Sequence, residues 1–156
     1  MLRRSFILGI ALVAGGCAGG GLGRGELEPP EVTLADIEFL GAGLFEQKLG
    51  LVLRLRNPNE DDLPLDGLRV RLEIDDEPFA TGLSHENVTI PGLGEETVTV
   101  EAVSATTDVL NQLRAVTGFK DIEYTIAGAA FLRGEGNRKQ LPFEQNGSVR
   151  LSGLAQ

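Results

Sequence analysis

His85 is the only histidine of the 156-residue chain and Cys17 its only cysteine, and these two counts remove most side-chain chemistry at once. With one histidine, no pair of histidines and no zinc site built from several imidazoles can be assembled, and this one falls near Gly82 and Ser84. His85 therefore reads as a turn residue. Asp61-Asp62 with Asp66, and Asp75-Asp76-Glu77, offer oxygen ligands of the kind calcium takes. Neither group has EF-hand spacing, and carboxylates gathered at turns read as solvated charge. No serine sits in Gly-x-Ser-x-Gly, and Gly92-Leu93-Gly94 precedes a strand pattern, not a helix, so it is no phosphate loop. The expectation is a non-enzyme with no catalytic residue, no metal, no cofactor and no small-molecule substrate.

Cys17 has a different meaning. Arg3-Arg4 is followed by the apolar run Phe6-Ile7-Leu8-Gly9-Ile10-Ala11-Leu12-Val13, long enough for a signal-peptide core and too short to span a bilayer. Ala14-Gly15-Gly16 leads into the cysteine, and that order resembles a bacterial lipobox. Such a resemblance implies cleavage before Cys17 and acylation, with palmitate among the chains, of its thiol and new amino group. Arg3-Arg4-Ser5-Phe6 also resembles a twin-arginine signal, which leaves the export route open between that and the general one. Ala18 stands where inner-membrane lipoproteins typically carry Asp, so the expected address is the bacterial outer membrane, facing the periplasm.

Removing the leader, residues 1–16, leaves 12 Lys+Arg against 23 Asp+Glu, a side-chain balance of -11. That acidity disfavours nucleic acid and anionic headgroups as partners. Residues 17–30 follow as a tether, rich in glycine up to Gly25 and stiffened at Pro29-Pro30. Residues 31–156 then suffice for one domain burying about two-thirds of its unfolded surface. With Cys17 acylated no thiol is left for a disulfide, so packing alone must hold the domain.

The elements expected in that domain are mostly strands. Leu49, Leu51, Leu53 and Leu55 alternate with polar or small residues, as do Leu68, Val70, Leu72 and Ile74. Further strands are expected over 32–39, with a bulge near Asp36, and over 78–83, 88–90, 97–103, 121–132, 140–143 and 148–151. One helix is expected, capped by Thr106 or Thr107, striped by Val109, Leu110, Leu113 and Val116 and closed at Gly118. Seven to nine strands and one short helix, with no βαβ rhythm, predict an all-β fold: an antiparallel β-sandwich of fibronectin type III or immunoglobulin kind. The four alternating leucines could also line an apolar ligand cavity between the sheets, but strict alternation reads as core.

Asn57-Pro58-Asn59 closes the leucine strand. Proline fixes a turn and the two asparagines can bond nearby backbone, so the corner is expected to be structural. It comes with Pro64-Leu65, Phe79-Ala80-Thr81-Gly82, Ile90-Pro91-Gly92-Leu93-Gly94, Tyr124-Thr125-Ile126-Ala127-Gly128 and Leu141-Pro142-Phe143 in fixed order. The series resembles the LEA14-like family, the group 2 late-embryogenesis-abundant proteins built on the WHy domain (water stress and hypersensitive response). The resemblance implies a folded fibronectin-like sandwich with a non-enzymatic role in tolerance of drying, and the lipid anchor resembles its bacterial branch. The function so implied is protection of envelope components during water loss, with the membrane and envelope proteins as partners. The alternative is an adaptor lipoprotein that docks an envelope protein through a strand edge or sandwich loops.

Overall fold

The computed structural model describes residues 26–104, 121–134 and 139–149. Eight strands fill them: β1 (Glu31–Ala42), β2 (Gln47–Arg56), β3 (Leu63–Ile74), β4 (Glu77–Ser84), β5 (Val88–Ile90), β6 (Glu95–Ser104), β7 (Ile122–Leu132) and β8 (Gln140–Val149). There is no helix among the described residues. The leader, Cys17, the glycine-rich part of the tether and the helix expected over 106–118 lie outside them, as does Leu151.

All pairings are antiparallel, in the order β1-β2-β6-β4-β3-β7-β8, with β5 added to the start of β3. The two layers of the expected sandwich are thus parts of one curled sheet. They join only where β4 meets β6, through the pairs Thr81↔Val103 and Gly82↔Ala102. Gly82 is required at this joint, because a Cβ there would lie 2.7 Å from the Glu101 carbonyl oxygen.

Alternation decides which residues face inward. Leu51, Leu53 and Leu55 have no exposed surface, and Leu49, Leu68, Val70 and Leu72 meet them with Val98, Val100 and Ile126 in one core. Each such leucine contributes about 1.5–3 kcal/mol by burial. These leucines pack as core.

The register of β1 on β2 shifts between Leu34 and Asp36, where the alternation predicts a bulge. Several boundaries differ from expectation. β3 starts five residues earlier, because Leu63 and Leu65 pair with β5 and are fully buried. β8 runs unbroken from Gln140 to Val149, although Glu144-Gln145-Asn146-Gly147 has turn composition, because each of these residues finds a partner on β7. The approach segment packs too: Leu27 lies against the core and Pro30 is buried, ahead of β1.

The curl brings β1 round to β8, where no backbone ladder forms. Side chains lace this seam instead. The Tyr124 hydroxyl accepts the Leu34 N–H at 3.0 Å, and Gln145 Oε1 accepts the Val32 N–H. Tyr124 can lie across β8 because Gly147 is its direct partner; a Cβ there would meet the phenol oxygen and ring at 2.5–3.0 Å.

Candidate functional site

At the pole where β2 ends and β3 begins, the Asn57-Pro58-Asn59 corner gathers polar contacts around one buried side chain. Asn57 has no exposed surface. Its amide nitrogen donates to the carbonyls of Asp61 at 2.8 Å, Ile90 at 3.1 Å and Pro91 at 3.2 Å. Two hydrogens serve three acceptors, so one is shared. Its Oδ1 accepts the Asn59 backbone N–H and the Asn59 side-chain amide, both at 2.9 Å, and its own N–H donates to Gly94 O at 2.9 Å.

Asn59 carries the network outward. It exchanges a reciprocal pair of bonds with the Glu28 backbone, Glu28 N–H to Oδ1 and Nδ2 to Glu28 O, each 2.9 Å, while its carbonyl accepts Leu93 N–H at 2.8 Å. Pro58 has no N–H that needs an acceptor and presets the bend between the two. Three separate segments are tied here: the approach at Glu28, the β2–β3 corner, and the end of β5 with the Pro91–Gly94 turn that follows it.

That turn is shaped to receive the corner. Gly94 N–H closes it onto Pro91 O at 2.9 Å, and Leu93 sits at φ 57°, in the left-handed region. Gly92 lies so close to Glu60 that any Cβ would run into the Glu60 carbonyl oxygen, and its N–H donates to Asp62 Oδ1 at 3.0 Å. The glycine is a close-approach residue, and Asp62 is a backbone acceptor.

The remaining candidate residues are dispersed. His85 is exposed in the β4–β5 loop. Asp66 pairs with Arg133 at 3.7 Å, and Asp75 and Asp76 form the β3–β4 hairpin turn. No group of three or more His, Cys, Asp or Glu side chains suited to a metal occurs among the described residues. Cys17 lies outside them. The corner itself is chemically saturated: every amide hydrogen of Asn57 is spent on a carbonyl, leaving none for a ligand. Sequence reasoning missed Glu28, whose backbone completes the hub, and nothing in a glutamate before Pro29-Pro30 signals that role.

Residues 52–147, from the middle of β2 to near the end of β8, match the family model described as "Late embryogenesis abundant protein". The chain belongs to this late embryogenesis abundant family. The match spans the corner, the Pro91–Gly94 turn and both seam residues Tyr124 and Gln145. This family is in general non-enzymatic. The solution structure of an Arabidopsis thaliana protein is similar to this family member with 13% identity, covering 81% of this chain and 84% of that one, at a TM-score of 0.56. A crystal structure of a protein from Archaeoglobus fulgidus has 11% identity, with 80% and 96% covered, and a TM-score of 0.42. At such identities the first likeness speaks for the fold alone. No curated protein sequence matches.

Proposed function

We propose that this late embryogenesis abundant protein is a lipid-anchored, non-enzymatic stress protein that protects envelope components during water loss. Family membership over residues 52–147 is the observation that carries the reading. Cys17, at the end of a lipobox-like leader, supports the membrane address, and the order of motifs supports the WHy, bacterial lipoprotein branch. Two or three acyl chains at about 0.8 kcal/mol per buried methylene would hold the domain firmly on a membrane. A rigid, acidic, well-hydrated domain kept there separates surfaces that would otherwise fuse as water leaves.

The architecture suits that task. Asn57 and Asn59 hold the fold, while a chain of net charge -9 keeps its surface hydrated. A domain of this kind needs no pocket and no moving part. The adaptor alternative relies on a strand edge or on sandwich loops, and the first route is narrowed because the outer edges of β1 and β8 face each other across the side-chain seam. Drying survival of a strain lacking the gene, restored by the wild-type chain but not by Cys17→Ala, tests the reading.

A further inference from the structure

The outer face of the sheet, used by neither the corner nor the seam, carries an open groove of about 670 Å³ over the β4–β6 joint. The ladder there is two pairs long, so the layers part and leave a depression. Three cations border it, Lys48 on β2 with Arg69 and Arg71 on β3, against a single acid, Glu101. A net positive groove is out of keeping with a chain of 14 Lys+Arg and 23 Asp+Glu.

Register explains the gathering. Lys48 is opposite Val103, Val103 opposite Thr81, and Thr81 opposite Arg71, which puts Lys48 and Arg71 at the two ends of one row across four strands. Three inter-strand spacings separate them by about 14 Å on a flat sheet. Long side chains reaching in from both ends can meet on one oxyanion. Arg69 is two residues from Arg71 on the same face, with its guanidinium 5.5 Å from the Phe131 ring centroid.

None of the three cations has an ion pair among the described residues, where the pairs use Arg54, Arg56 and Arg133. Between them lie two exposed apolar side chains, Leu83 at 47% and Val103 at 41%. Cations alone would suit a bare anion; cations around exposed leucine and valine suit an anion with an apolar body. We propose that this groove binds a single-chain amphiphile, its oxyanion head held by Lys48, Arg69 and Arg71 and its apolar chain laid on Leu83 and Val103. This inference stands apart from the stress function, since it uses the outer face of the domain and neither the anchor nor the corner.

Calorimetric titration of the full chain with laurate, dodecyl phosphate (both below their micelle concentrations) and inorganic phosphate tests it. The expected result is one-to-one binding of laurate or dodecyl phosphate, with the tighter of the two identifying a carboxylate or phosphate head. Arg69→Gln/Arg71→Gln should weaken that binding roughly tenfold or more per arginine. Lys48→Gln, at an exposed position on another strand, should weaken it as well, and circular dichroism should show both variants folded. Arg54→Gln/Arg56→Gln, elsewhere on the surface, should leave it unchanged. Unaltered binding in folded Arg69→Gln/Arg71→Gln, or an equal loss in Arg54→Gln/Arg56→Gln, would overturn the site. Inorganic phosphate binding as tightly as either amphiphile would overturn the apolar half of the assignment.

Discussion

Asn57 is the residue on which the pole of the domain depends. Its side chain satisfies three buried or half-buried carbonyls and two donors of Asn59, so Asn57→Ala strands several groups at once. We expect a loss of about 2–4 kcal/mol, read as a lower urea midpoint at unchanged slope. Asn57→Asp should cost more at neutral pH, because a carboxylate facing three carbonyl oxygens repels what the amide binds. Asn59→Ala should cost only about 1 kcal/mol, since its Glu28 bonds are exposed, but should speed proteolysis ahead of Pro30. Equal losses at the two positions would contradict the division between a buried hub and its outer link. At the seam, Tyr124→Phe should lose about 1 kcal/mol by removing the acceptor for the Leu34 N–H. The corner was legible in the sequence because Asn-Pro-Asn has a strong local geometry. The hub was not, because two of its three acceptors, the carbonyls of Ile90 and Pro91, lie more than thirty residues away along the chain, and no residue type points to them.

At the scale of elements, periodicity exposed the strands wherever one face is buried. The leucine alternation in β2 and the slip near Asp36 in β1 reappear in the structure at those positions. Periodicity failed where pairing alone decides. The Glu144–Gly147 segment has turn composition yet is strand because β7 lies beside it, and Gly147 is there to make room for Tyr124. The β3–β4 hairpin shows the converse, a turn found by composition but built with unfavourable residues. Asp75 and Asp76 sit at φ 50° and 65°, both left-handed, where Asn-Gly is the preferred pair. Asp75→Asn/Asp76→Gly should therefore raise stability by about 0.5–1 kcal/mol and the melting temperature by a few degrees. A fall in melting temperature would mean that the acidic pair makes contacts worth more than its backbone strain.

At the scale of the molecule, net charge is the property to weigh. The three described ion pairs are at least partly exposed, and each contributes under about 1 kcal/mol, so they do little to offset an excess of nine negative charges. Raising salt from low ionic strength to ~0.2 M should screen that repulsion and raise the melting temperature. A fall would mean that local pairs dominate. The fold class was legible from strand spacing, and the way the two layers fuse at the β4–β6 joint was not, since a two-residue ladder leaves no mark in a sequence. The central claim is a protective role at the membrane, and controlled drying of a deletion strain tests it most directly. The account predicts that survival falls, that the wild-type gene restores it and that a Cys17→Ala form does not. A deletion strain that dries and recovers like its parent would contradict it.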